Sequence, residues 1–398
     1  MGEDKAGSVP LPLAGIKVLD LARVFAGPVC GRILSDLGAD VVKIEPPEGD
    51  VTRLWGRKAA GLSTYYVQQN VGKQNICIDL REAAGPELVR KLVAQADIVI
   101  ENFRPGVMAR YGLDYDSLKQ VKPDLVMVSI SGFGQVGPES GRAAYAAILH
   151  GEAGAIDMSN GVAEARDVSF SAADVLSGMH GAIGLLAALR VRDQTGIGQH
   201  IDIAMMDVMT FSSDASQSIL DNAGHEPRGA QLFEATGGPI LLAGDTRWLW
   251  HQVSNVHGVV DPGAKDRPVH QKKAERNELI SEWLVSFQDR QSLLDALDEA
   301  NLAWGNLRNL GEVLNSPTLK HRDTVATIDN RDGGSRPIFR SPYVMSESDT
   351  REPGTISMRG EHNHDVLSQW LDMSLTEVDQ LVADNVLLQD EWAAERGD

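Results

Sequence analysis

Three short segments combine residue types that could do chemistry. The first is Ser171-Ala-Ala-Asp174, at the head of a long apolar run. A serine at the N-cap with an acid three residues on is a capping-box arrangement, and it predicts a helix opening there. The same placement suits catalysis. A carboxylate in a first helical turn faces backbone N–H groups and the positive end of the dipole, so Asp174 is expected to stay ionised and fixed in position. Such a carboxylate can attack an activated acyl group as a covalent nucleophile. The residues alone leave capping and catalysis both open. The second segment, Ser129-Ile-Ser-Gly-Phe-Gly-Gln-Val-Gly-Pro138, puts three glycines after a strand-like run. It reads as a flexible turn, or as a strand-end loop of the kind that holds ligands in open α/β sheets. The third, Glu101-Asn-Phe-Arg-Pro-Gly106, offers an amide, an aromatic face and a guanidinium together. An adenine or a phosphate could use that trio.

Other chemistries lack their motifs. The turn after the first apolar strand reads ARVFAGPVCG, with Gly27 and Gly31 but no G-x-G-x-x-G, so a dinucleotide has no close backbone approach. Glu45 alone matches, closing the second strand where an acidic ribose ligand would stand. There is no Walker A loop and no G-x-S-x-G elbow. The ten histidines form no H-x-x-x-H, and the close pair His362 and His364 does not make a site, so no metal is expected. Cys30 and Cys77 cannot build a disulfide framework.

The elements that must position these residues follow a regular beat. GIKVLDLA (15–22), DVVKIE (40–45), ICIDL (76–80), DIVIEN (97–102) and LVMVSISG (125–132) read as strands, with helices over 28–38 and 83–95 between them. Continuous β-branched runs alternating with helices predict parallel strands covered on both faces, an α/β fold with a Rossmann-like doubly wound sheet. Segment 171–193 has apolar residues around most of its circumference and predicts a buried helix ending at Thr195-Gly196. Gly178, Gly181, Gly184 and Ala188 form a small-residue stripe on it that would admit another backbone. NAGHEPRGAQ, from 222, reads as a linker. A strand (PILLAG), a helix near Trp248–His257, helices near 274–286 and 289–300, short strands within 320–360 and a helical tail over 362–396 follow. There is no internal repeat or coiled coil.

The 398 residues exceed what one core usually serves, so two domains, or one large domain with an appendage, are expected. The polar start is neither a signal nor a transit peptide, and Val175–Leu189, the longest uncharged apolar stretch, is too short for a bilayer. A soluble, cytoplasmic protein without a membrane partner is the expectation. The net charge is −19, yet the first 150 positions hold 17 basic and 17 acidic residues, so the whole excess lies beyond them. Val51–Ile78 has no acidic residue but carries Arg53, Arg57, Lys58 and Lys73. That window could meet a small anion, while the overall charge argues against nucleic acid.

The blocks LAGIKVLDLARVFAGPVCGRILSDLGADVVKIEPPEGD (13–50), NVGKQNICIDL (70–80), ADIVIENFRPGVMARYGL (96–113), SISGFGQVGP (129–138) and SAADVLSGMHGAIGLLAALRVRDQTGIGQHIDIAMMD (171–207) carry more than a fold. In this order they resemble the signature of the family III CoA-transferases, the group of formyl-CoA transferase and carnitine CoA-transferase. RGEHNHDVL (359–367) is a weaker echo. The resemblance implies that Asp174 is the catalytic aspartate, attacking an acyl-CoA thioester to give an acyl-aspartyl anhydride and then an aspartyl-CoA thioester. It implies a carboxylic acid acceptor, and coenzyme A as substrate with no permanently bound cofactor. The implied CoA contacts are Phe25 and Ala26, then Asn70, Val71, Gly72 and Lys73 with Lys73 on a phosphate. Asn102, Phe103, Arg104 and Arg110 follow, and then Ala143, Ala144, Tyr145 and Ala146. It further implies an interlocked homodimer, with a large Rossmann-like CoA-binding domain over 1–220. A small α+β domain would cover 226–325, and a segment over 326–398 would return to the large one.

Departures from the family pattern narrow the expectation. Phe25 stands where formyl-CoA transferase has a glutamine, Pro46-Pro47 where it has arginines, and its glycine run is reduced to Gly237-Gly238. These differences imply a larger or more apolar acyl group than oxalate or formate. Two alternatives remain at this point. An α-methylacyl-CoA racemase would need a proton relay, and the stretch GRAAYAAILH lacks the His-Asp pair that the racemases carry after the Gly-rich loop. A non-catalytic CoA-binding protein is the other.

Overall fold

A computed structural model of the chain describes residues 10–59, 61–160, 166–168, 170–222, 230–263, 266–331 and 333–389. The linker expected from 222 and the end of the tail lie largely outside the described residues. The chain divides into two compact units, Met1–Ala223 with Arg322–Asp398, and Gly224–His321.

The first unit is a mixed α/β body around a six-stranded parallel sheet. Its chain order is β1 (Lys17–Asp20), α1 (Ala26–Asp36), β2 (Asp40–Glu45), α2 (Thr64–Asn70), β3 (Gln74–Cys77), α3 (Ala84–Val93), β4 (Ile98–Glu101), α4 (Tyr115–Val121), β5 (Val126–Ser131), α5 (Ala146–Glu152), α6 (Ala172–Thr195), β6 (Gln199–Ala204) and α7 (Met205–Phe211). The strands lie in the order β3-β2-β1-β4-β5-β6, every pair parallel. Strands β1, β4 and β5 are apolar along nearly their whole length because helices cover both faces. One core cluster joins the sheet to α1 and α6, and another joins it to α3, α4 and the C-terminal helices α8 (Asn363–Leu371) and α9 (Leu375–Ala383). The second unit builds its own core from an antiparallel three-stranded sheet and three helices, Thr246–His257, Val269–Val285 and Arg290–Glu299.

Helix α6 seats against α1 through its small residues. A Cβ on Gly178 would lie 2.5 Å from the Ala26 carbonyl oxygen, and one on Gly181 would meet Ile130 and Cys30. The helix stops where Gly196 takes a left-handed φ of 70°. It corrects two expectations. At 24 residues it is long and apolar enough to cross a membrane by length and composition, with a mean hydropathy of 1.4, although half of that window is buried in the protein. Nor is it buried all round: Met179, Ile183, Leu186 and Val191 lie on an exposed face. The sequence is apolar on every side, but the fold of one chain covers only the side towards α1 and the sheet.

Candidate active site

The sheet order reverses at β1, where crossovers diverge to opposite sides, and crevices open at the carboxyl ends of strands flanking such a point. Two cavities lie there. The larger, about 320 Å³, is lined from the ends of β1 to β4 by residues including Arg23, Lys43, Pro46, Arg81, Phe103 and Arg104. The smaller, about 140 Å³, has Val24, Ala26, Asn102, Tyr145 and Asp174 in its wall. Arg23, Phe103 and Arg104 border both.

The turn between β1 and α1 is held by a buried polar network. Val24 has φ of 69°, a left-handed conformation that a β-branched residue adopts only under strain, at about 1–3 kcal/mol. Its N–H donates to both oxygens of Asp50, at 3.3 and 3.2 Å. Asp50 is anchored in turn by Lys43 at 3.2 Å and by the Thr52 N–H at 3.0 Å. Next to it Glu45 accepts from Arg53, Tyr66 and Asn75. Burial pushes the Glu45 carboxyl up, but Arg53, Lys43 and Tyr66 together outweigh it and hold the group down at about 2. These side chains fix the strand-end turns, and Asn102 ties one turn to another by exchanging hydrogen bonds with the Arg23 backbone at 2.8 Å.

Asp174 stands half-buried in the first turn of α6. The expected capping box does not form: Ser171 makes no cap hydrogen bond, and its hydroxyl pairs with Tyr65. Nor is the carboxyl held in the ordinary range. Burial raises it from 3.8 to about 6, against a smaller opposing effect of His150. Desolvation outweighs the helix terminus here, leaving a carboxylate that is more basic than usual yet still mostly ionised at neutral pH.

His150, at the end of α5, takes up part of the role expected of Ser171. Its Nε2 accepts the Ala173 N–H at 3.2 Å and its Nδ1 meets Asp167 Oδ1 at 2.8 Å. The stretch GRAAYAAILH holds no His-Asp pair within itself; its His150 finds an aspartate outside it, 17 residues further on. With Nε2 occupied as an acceptor, this pair is not free to abstract a proton from a substrate.

Of the residues expected on CoA, Ala26, Asn102, Phe103, Arg104, Ala143, Ala144 and Tyr145 share the small cavity with Asp174. The others do not. Lys73 is buried, and its ammonium donates to Asp20 at 2.8 Å, to the Pro28 carbonyl at 2.9 Å and to Asn70 at 3.1 Å. All three donors are engaged inside the protein, so the expected phosphate contact is withdrawn. Asn70 binds Lys73 and the Tyr66 carbonyl, Val71 is wholly buried, and the Gly72 carbonyl accepts from Ser35. Ala146 packs into the core, while Arg110 is exposed outside both cavity walls. Phe25 turns to Tyr65, ring centroids 5.1 Å apart, and Tyr65 meets Trp55 at 5.8 Å. Arg23, Val24, Tyr65 and His150 were not legible as site residues, since no motif marks them. Cys30 and Cys77 are buried and not joined in a disulfide, and burial pushes the Cys30 thiol far up. Among the described residues no group of three His, Cys, Asp or Glu is placed to hold a metal.

The chain resembles known proteins along most of its length. Residues 13–363 match the family described as CoA-transferase family III. The chain is 33% identical over 382 residues to succinate–glutarate CoA-transferase of Agrobacterium fabrum, covering 90% of this chain and 95% of that one. To the succinyl-CoA:glutarate CoA-transferase of Homo sapiens it is 28% identical over 404 residues, 96% of this chain and 91% of the other. Its fold is similar to the crystal structure of a CAIB/BAIF family protein from Brucella suis, with a TM-score of 0.78 and 32% identity over 90% of this chain and 99% of that one. The chain is a CoA-transferase and belongs to family III.

Proposed function

We propose that the protein moves CoA from a short dicarboxylyl-CoA thioester to a carboxylic acid, with Asp174 as the covalent nucleophile. The observation that carries this reading is Asp174 in a small cavity that shares Arg23, Phe103 and Arg104 with a larger one at the strand ends. A bipartite ligand fits that pair, its nucleotide in the larger cavity and its thioester beside Asp174. The strand order of the sheet supports the Rossmann-like, doubly wound description and places both cavities where such sheets bind ligands. Relatives named for succinate, glutarate, D-citramalate and L-malate favour a dicarboxylate over the more apolar acyl group that Phe25 suggests.

In the proposed sequence, an Asp174 oxygen attacks the thioester carbon, the C–S bond breaks and CoA thiolate leaves, giving a mixed anhydride. The thiolate attacks the Asp174 carbonyl of that anhydride and expels the donor acid as a carboxylate, leaving aspartyl-CoA. The acceptor carboxylate attacks this thioester, forming a second anhydride and freeing the thiolate. The thiolate then attacks the acceptor's acyl carbon and restores the Asp174 carboxylate. One anion enters and one leaves at every step, so no proton moves and no general base is needed. A carboxyl near 6 suits this, being ionised at neutral pH but a stronger nucleophile than an ordinary aspartate. Ala26 opens α1 in the same cavity wall, and the positive end of that helix favours the developing oxyanion.

A second copy of the chain is the proposed cover for the exposed apolar face of α6, together with Phe211, Ile219 and Leu220. Light scattering after gel filtration should give the mass of a homodimer, and a monomer would refute this.

The reaction is tested by mass spectrometry after incubation with a panel of acyl-CoA thioesters and hydroxylamine. A hydroxamate on the peptide bearing Asp174 is expected, and Asp174→Ala should keep CoA affinity and lose transfer. Transfer surviving in that variant would overturn the assignment. Deuterium exchange at the substrate α-carbon without any adduct would favour the racemase.

A further inference from the structure

We infer that His150 is a positioning residue that sets the first turn of α6, and with it Asp174, through a fixed neutral tautomer. The inference rests on the reading of Asp174 as nucleophile. His150 is 1% exposed, a buried imidazole at the end of α5. An amide N–H donates into its Nε2, so the ring proton must sit on Nδ1, where Asp167 accepts it. The order is therefore Asp167 to His150 to Ala173, and Asp174 is the next residue in the chain. A helix start leaves its first N–H groups without intrahelical partners, and Ser171 does not supply a cap. The Ala172 N–H closes locally on the Phe170 carbonyl at 2.7 Å, whereas the Ala173 N–H is tied by the imidazole, from 23 residues upstream. Protonation or loss of the ring would release the Ala173 N–H and let the nucleophile's backbone move. The charged groups facing the ring are Asp167 on one side and Asp174 on the other.

The experiment uses the full chain with succinyl-CoA as donor and hydroxylamine as trap, alongside amide exchange of the peptide that opens α6. His150→Ala should lower kcat on the order of 10²-fold, the loss typical of a nucleophile displaced by about 1 Å. KM for succinyl-CoA should stay within roughly threefold, because the cavity walls are untouched. Amide exchange at Ala173 should quicken. His150→Gln can present its Oε1 to the same N–H, and should recover about tenfold or more of the loss while restoring slow exchange. Asp167→Ala, at a side chain half exposed, should fold normally and lower kcat by a smaller factor with KM unchanged; it carries the test should His150→Ala fail to fold. Equal kcat in His150→Ala or Asp167→Ala and wild type, unchanged exchange at Ala173, or no recovery in His150→Gln overturns the inference. Asp174→Asn separates the two readings. Were it active, the nucleophile assignment would fall and the inference with it. Were it inactive beside an unimpaired His150→Ala, only the inference would fall.

Discussion

The desolvated state of Asp174 predicts how acylation depends on pH. Its carboxyl is raised from 3.8 to about 6, with burial the main cause. In the proposed reaction the attacking species is the carboxylate, so the rate should follow the ionised fraction. That fraction falls about tenfold between pH 7 and pH 5 for a group titrating near 6, whereas an ordinary aspartate would lose less than about a tenth of its ionised form. The assay is single-turnover release of CoA thiol from succinyl-CoA without acceptor, read with a dithiodipyridine reagent that works in mild acid. Measured below saturation, kcat/KM reports the free enzyme's group. The expected profile is a single limb rising through pH 6 to a plateau above pH 7. Glu101 is pushed up to about 7, mainly by burial, and titrates in the same window, so the profile is also measured in Glu101→Gln. The limb should remain there. A rate that is flat from pH 5 to pH 7 in both proteins would refute the claim that a desolvated Asp174 is the nucleophile.

Three further outcomes follow from the interior. Lys73→Met strands the Asp20 carboxylate, which is wholly buried, so it should destabilise the fold by about 3–5 kcal/mol in urea titration while CoA affinity in the folded fraction holds; weaker CoA binding with unchanged stability would restore the phosphate contact. Gly178→Ala drives a methyl against the Ala26 carbonyl and Val29, at 2.5 and 2.9 Å, and should cost about 1–3 kcal/mol and slow transfer. Gly184→Ala, facing the Ile201 side chain at 3.1 Å, should be milder, and equal melting temperatures for the two would count against this account of the helix contact. Glu101 has a folded pKa of about 7 against 4.5, so the native state holds the extra proton between those values and stability is lost as pH rises through them. Glu101→Gln should therefore gain about 3 kcal/mol on wild type between pH 5 and pH 8, and parallel urea midpoints across that range would contradict it.

Strands were the most legible feature, because parallel strands covered on both faces must be apolar along their length. Ile98–Glu101 and Val126–Ser131 fall inside their expected segments for that reason. Helix α2, Thr64–Asn70, was not foreseen: TYYVQQN is rich in residues of middling helix propensity, and its Ser63 cap is visible only once the turn is known. The acid-free window before Ile78 suggested an anion site, but its charge has a different use. Arg53 and Lys73 neutralise Glu45 and Asp20, which are acids from outside the window brought in by the sheet.

A glycine inside α1 shows why the site was harder to read than the fold. Gly31 reads as half of a dinucleotide loop that fails. In place, a Cβ there would lie 2.5 Å from Asp20 Oδ2 and 3.0 Å from Lys73 Nζ, so the position is small because a buried ion pair passes beneath α1. The same holds for His150 and Asp174. Periodicity reports which face of an element is covered, whereas a tautomer, a strained Val24 or a buried ion pair depends on partners 17, 26 or 53 residues away. Those distances are set by the order of strands in the sheet. A motif can mark Asp174 as a candidate nucleophile, but the raised basicity of its carboxyl comes from burial, a property of the assembled fold.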